Sequence, residues 1–193
     1  LRRAASLERA RRAGGHQGDN ELNPPVFGVT GWKNSGKTTL TERLVAELVA
    51  RGWRVSTIKH AHHDFDIDRE GADSWRHRMA GATEVAIVSG RRWALMHELR
   101  DESEPPLEAV LARIAPCDII IVEGYKREGH PKIECRRNGA KNTEPLAPSD
   151  PTIVAIAADH ETQAGGLPAF AIDDVHAIAD FVERTAGLRN PQS

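Results

Sequence analysis

The stretch Val26-Phe27-Gly28-Val29-Thr30-Gly31-Trp32-Lys33-Asn34-Ser35-Gly36-Lys37-Thr38-Thr39-Leu40 constrains this chain more than any other. An apolar run enters Gly31, four residues intervene, and Gly36-Lys37-Thr38 opens a helical pattern. This is the strand–G-x-x-x-x-G-K-[ST]–helix arrangement that cradles a nucleoside polyphosphate. Phosphate oxygens demand many donors at short range, and Gly31 and Gly36 let the backbone turn its N–H groups inward. The helix that follows aims its unpaired N–H groups and positive dipole end at the same point. Lys37 is expected to reach the β- and γ-phosphates, and Thr38 to place its hydroxyl on Mg²⁺.

With 193 residues the chain has room for one good core rather than two. A net charge of −2 gives no global footprint for nucleic acid or a membrane surface. No apolar run approaches the ~20 residues of a membrane span. Cys117 and Cys135 form no C-x-x-C and no ligand cluster, which suits a reducing cytosol and argues against a disulfide scaffold.

Residues 1–25 stand apart. Arg2, Arg3, Arg9, Arg11 and Arg12 meet only Glu8, and Gly14 to Asn20 reads as linker, so a frayed helix and disorder are expected. There is no apolar secretory core, and Leu1 points to a chain start that is not the natural one. The domain is expected to run from 26 to 187, with 188–193 as a tail. Leu40, Leu44, Val45 and Leu48 recur at helical spacing before Gly52. Strands are expected at 53–59, 84–89, 93–96, 118–123, 131–136, 153–157 and 170–172, the pair at 84–89 and 93–96 antiparallel. Further helices are expected at 71–80, 105–114 and 175–182. Ile119-Ile120-Ile121-Val122 is apolar throughout, as in a parallel strand buried on both faces. Strands alternating with helices imply an α/β fold, a mostly parallel sheet covered on both faces.

In such sheets ligands sit at the carboxyl ends of the strands. Glu123 ends the most apolar strand, where it is expected to hold the Mg²⁺ hydration shell or orient a water; a capping or salt-bridging carboxylate is the plainer reading. Lys59-His60-Ala61-His62-His63-Asp64-Phe65-Asp66-Ile67-Asp68 begins at the end of the second strand. It reads as a switch-like loop with Asp64 or Asp66 near Mg²⁺ or a nucleophilic water, as a transition-metal site, or as a solvated polar loop. Asp159, after the Ile153–Ala157 run, is placed to accept from N1 and N2 of guanine or simply to cap a turn. No N-K-x-D element accompanies it. Lys126, Arg127 and Lys132 form either a contact for a second anionic ligand or a solvated basic loop.

Taken in order, Gly31 to Leu40, Ile58-Lys59-His60-Ala61-His62-His63-Asp64, Asp68 with Gly71-Ala72-Asp73-Ser74, Ala80-Gly81-Ala82, Arg92 to Met96 and Val122-Glu123-Gly124-Tyr125-Lys126 resemble the molybdopterin-guanine dinucleotide biosynthesis adapter protein B family. The resemblance covers roughly Val26 to Val182. It implies a dimeric P-loop NTPase fold that binds GTP with Mg²⁺ and hydrolyses it weakly, in the cytoplasm. It also implies a supporting role in attaching GMP to molybdopterin, with the molybdenum cofactor guanylyltransferase as partner. On this analogy Gly31, Trp32, Lys33, Asn34, Ser35, Gly36, Lys37, Thr38 and Thr39 hold the phosphates. Thr38 and Glu123 serve the metal, and Lys37, Glu123 and Asp64 serve any hydrolysis. Ala72 stands where the family pattern suggests a lysine, and the Arg-rich start has no counterpart.

Two other functions fit a P-loop chain. A small-molecule kinase needs an acceptor pocket, a base such as Asp64 or Asp66, and a lid, and no lid of paired arginines is evident. A metallochaperone GTPase would use His60, His62 and His63, whose spacing matches no standard zinc pattern. The sequence also lacks an obvious water-positioning Gln or arginine finger, and Lys33 is one possible stimulating cation within the loop itself.

Overall fold

The apolar runs pair as parallel strands. The structure, a computed structural model, describes residues 24–61 and 65–189. Its elements are β1 (Val26–Gly31), α1 (Lys37–Ala50), β2 (Val55–Lys59), α2 (Asp73–Met79), β3 (Glu84–Val88), β4 (Trp93–His97), α3 (Leu107–Leu111), β5 (Ile119–Glu123), β6 (Lys132–Arg136), β7 (Ile153–Ala158), β8 (Ala169–Ala171) and α4 (Val175–Ala186). Six strands lie in the order β2-β5-β1-β6-β7-β8, every pair parallel. β3 and β4 form a separate antiparallel pair.

Because side chains alternate across a strand, the isoleucine run of β5 serves two cores. Ile119 and Ile121 join Phe27, Val29, Leu40, Leu44, Leu48, Ile178 and Val182 beneath α1 and α4. Ile120 and Val122 face the other way, against Ile58 and Leu107 of α3. This double burial is why β5 carries no polar residue until Glu123. Helices on both faces, a mostly parallel sheet and an antiparallel pair match the architecture expected from the sequence.

Some boundaries differ. Trp53 precedes β2 rather than opening it. Its backbone N–H donates to Leu48 O at 3.1 Å and its indole N–H to Glu183 Oε1 at 2.7 Å, so the residue closes α1 against α4. The last helix runs past Val182 to Ala186 and ends at Gly187. Pro25 is already laced to the sheet, its carbonyl accepting from Ile120 N at 2.9 Å, and Leu188 packs on the core. The Arg-rich residues 1–23, His62, His63, Asp64 and residues 190–193 lie outside the described residues. No described helix is long and apolar enough to cross a membrane.

Candidate functional site

β1 ends in the middle of the sheet, between β5 and β6, where successive connections run to opposite sides. Gly31 turns there with φ 144°, and an added Cβ would collide with Ser35 Oγ and stand 2.7 Å from the Cys135 carbonyl oxygen. Gly36, at φ 92°, would set a Cβ 3.0 Å from Ile172 Cδ1. The loop between them therefore needs glycine at both ends. No side chain caps α1, and its first turn holds no acid. By contrast, α4 caps itself, with Asp174 Oδ1 accepting from Ala177 N at 3.2 Å. The amino end of α1 is left for an external anion.

Two polar contacts furnish this end. Lys37 Nζ donates to Trp32 O at 2.8 Å, folding over the loop. Burial, above all, pulls the Lys37 pKa below the ordinary lysine value, and nearby Lys126 and Lys59 pull it further; Cys135 and Glu123 oppose them. A polyphosphate would pull that pKa back up. Thr38 Oγ1 donates to Glu123 Oε1 at 2.9 Å. The sheet register makes this meeting possible, since Glu123 pairs with Val29 of β1 on one side and Lys59 of β2 on the other. A hydroxyl and a carboxylate are hard oxygen donors suited to Mg²⁺, which takes few protein ligands and fills its octahedron with phosphate and water. The donor pair thus fits the ion implied by the loop.

Trp32 ties the loop to its surroundings. Its indole N–H donates to Glu144 O at 2.7 Å, and Lys126 Nζ lies 4.1 Å from its ring centroid. Lys33 is exposed, and its carbonyl accepts from Lys141 N at 3.3 Å. The chain between β6 and β7 therefore buttresses the phosphate loop from outside.

Asp159 directly follows β7 and lines a cavity of about 670 Å³ with His160, Thr162, Phe170 and Ile172. Its Oδ1 accepts from Asn138 N at 3.1 Å and meets His160 Nδ1 at 2.7 Å; the bond to His160, chiefly, holds its carboxyl below the usual range. Ile172, on the same cavity wall, is the side chain that approaches Gly36, so this cavity adjoins the phosphate loop.

Lys132 corrects the sequence reading. It is fully buried, and its Nζ donates to Glu128 O, to His130 O at 3.3 Å and to Thr152 Oγ1 at 2.6 Å. An ammonium so enclosed braces the β5–β6 connection and is out of reach of a second ligand. In the His-rich loop, His60 packs on Tyr125 with ring centroids 4.7 Å apart and pairs with Glu104 at 2.8 Å. Arg78 gathers Asp66 and Asp68, each at 2.7 Å, so these two acids serve an ion cluster. Asp64 lies outside the described residues. Among the described residues, no group of three or more His, Cys, Asp or Glu side chains is placed to hold a metal ion. Lys59, not among the site residues expected from the sequence, also reaches the Thr38–Glu123 pair. Its Nζ stands 3.2 Å from Glu123 Oε1 and 3.5 Å from Thr38 Oγ1. The available signal was its position as the last residue of a strand ending on the phosphate-loop side.

The family model for molybdopterin guanine dinucleotide synthesis protein B matches residues 26–159. The molybdopterin-guanine dinucleotide biosynthesis adapter proteins of Haemophilus influenzae and Escherichia coli are each 39% identical to the chain, over 165 and 160 residues. These matches span 82% of this chain and 88% and 91% of the two relatives. The crystal structure of a MobB protein homolog from Bacillus stearothermophilus aligns with a TM-score of 0.62 at 29% identity, covering 85% of this chain and 99% of that one. The shared fold is that of P-loop NTPases.

Proposed function

The chain belongs to the molybdopterin guanine dinucleotide synthesis protein B family, and from that membership we propose that it is a GTP-binding adapter with weak GTPase activity. It serves the guanylyltransferase that joins GMP to molybdopterin. The observation that carries the nucleotide reading is the uncapped amino end of α1, with Lys37 and the Thr38–Glu123 pair gathered around it.

In this reading the loop amides from Gly31 to Thr39 receive the phosphates, and Lys37 leaves the Trp32 carbonyl for the β- and γ-phosphate oxygens. Thr38 and Glu123 hold Mg²⁺, which neutralises phosphate charge when bound. Asp159, held by Asn138 and His160, accepts from the N1 and N2 donors of guanine in the adjoining cavity. Adenine presents an acceptor at N1, which a carboxylate repels. Weak turnover follows from the want of a water-positioning group: no described Gln side chain contacts the Thr38–Glu123 cluster to aim a water. The adapter acts through partners rather than chemistry.

A homodimer is part of the proposal. A two-stranded sheet alone is marginal in water, yet β3–β4 turns Ala86, Val88, Trp93 and Leu95 to one face, with Val88 76% and Trp93 71% exposed. A second copy would cover that face. Free Cys117 and Cys135 accord with a cytoplasmic setting.

The test is thermal stabilisation by GTP. Saturating the site at a hundred times Kd adds about 2.7 kcal/mol to the wild-type protein. Lys37→Ala should lose that gain, and an equal shift in the variant would defeat the nucleotide assignment.

A further inference from the structure

The Thr38–Glu123 pair is already provided with a cation of the protein's own. Lys59 Nζ sits 3.2 Å from Glu123 Oε1 and 3.5 Å from Thr38 Oγ1, and those two oxygens are 2.9 Å apart. The ammonium thus caps the edge between the two oxygens that a divalent cation would use. Glu123 is 93% buried by its neighbours at 7% exposure, whereas the Lys59 side chain is 60% exposed. The carboxylate is fixed; its cation is on a flexible stem and free to swing into solvent. A buried carboxylate needs a positive partner, and two cations cannot share one oxygen pair at these distances without strong repulsion.

We infer that Lys59 is a resident counter-cation of the Thr38–Glu123 pair, which exchanges places with Mg²⁺ when the metal–nucleotide complex binds. This rests on the nucleotide reading above and adds to it a residue and a direction of competition. Lys59 keeps Glu123 paired before the metal arrives and raises the metal concentration needed for its own displacement. Its ammonium also lies close enough to Lys37 to depress that group's pKa. While it is in place it stands beside the phosphate site, where it supports nucleotide binding at low Mg²⁺. Lys59 is a positioning residue in this scheme.

The experiment titrates MgCl₂ into the full chain with fluorescent mant-GDP and follows binding rather than hydrolysis, for wild type, Lys59→Met and Lys59→Arg. Circular dichroism melts without ligand check that the variants fold, as an exposed strand-end side chain allows. Lys59→Met removes the competing charge, so its half-saturating Mg²⁺ should fall about threefold to fivefold, the size of an ion pair with one exposed partner. In EDTA the same variant should bind mant-GDP more weakly than wild type. Lys59→Arg keeps the charge and should keep a midpoint at or above that of wild type. An unchanged or raised midpoint in Lys59→Met, with wild type binding normally, overturns the exchange and leaves the nucleotide reading standing. Failure of the wild type to bind mant-GDP at any Mg²⁺ concentration overturns both.

Discussion

The central sheet and the β3–β4 hairpin are built from similarly apolar runs, yet they end differently. Every residue of β5 and β6 is buried, while β3 buries only Val85 and β4 only Met96. In the sheet, β5, β1, β6 and β7 each lie between two parallel neighbours and carry buried core residues, so their carboxyl ends are held to fixed places. The hairpin has one strand partner and α2, and its other face is bare. The sheet's carboxyl edge fixes Thr38, Glu123 and Asp159, whereas the hairpin keeps one apolar face uncovered.

The contrast is broken most severely from the core. Phe27, fully buried under α1 and α4, should cost about 3–5 kcal/mol when replaced by alanine. Urea denaturation measures this, and a loss under 1 kcal/mol would mean that the sheet is not the stable half. Trp93→Asp should leave monomer stability within about 0.5 kcal/mol and leave mant-GDP affinity unchanged, but lower the solution mass towards that of one chain. Light scattering reads the mass; a wild-type protein already monomeric at high concentration would remove the hairpin's assigned role.

The two regions also differ in the sign of a pH effect carried by one histidine each. Burial, with Lys132 assisting, pushes His130 from 6.5 down to about 4, against β1 in the main sheet. His97 on the hairpin is held above 6.5 by Glu84 first and then Glu102. A lowered folded pKa means that the unfolded chain binds the proton first. The sheet therefore loses stability as pH falls from about 6.5 towards 4. For His97 the folded state binds more tightly, so its contribution is present below 6.5 and is lost as pH rises through the raised value. His130→Gln should flatten the fall in melting temperature between pH 6.5 and 4. His97→Gln should leave that fall in place and lower stability mainly on the acid side.

Much of the fold was legible because the signals are local. The Ile119–Val122 run, the 3.6-residue period from Leu40 to Leu48 and the turn residues around Gly90 each declare an element within a few residues. The glycine-bounded turn was equally readable, since Gly31, Gly36, Lys37 and Thr38 lie within one short stretch of chain. What stayed hidden depends on register. Lys132 reads as a loop cation until β6 is seen between β1 and β7, where its side chain has no route to solvent. Lys59 reads as the start of a polar loop until β2 is seen beside β5.

The sequence alone determined that a strand, a glycine-bounded turn and an uncapped helix follow one another, because covalent order and short-range sterics leave few alternatives. It also determined that one strand must be buried on both faces. Only the tertiary structure decided which distant groups share the site. Thr38 and Glu123 are 85 residues apart, and the parallel pairing of β1, β5 and β2 brings them and Lys59 within hydrogen-bonding reach. That pairing follows from the packing of whole faces, which no local window of sequence encodes.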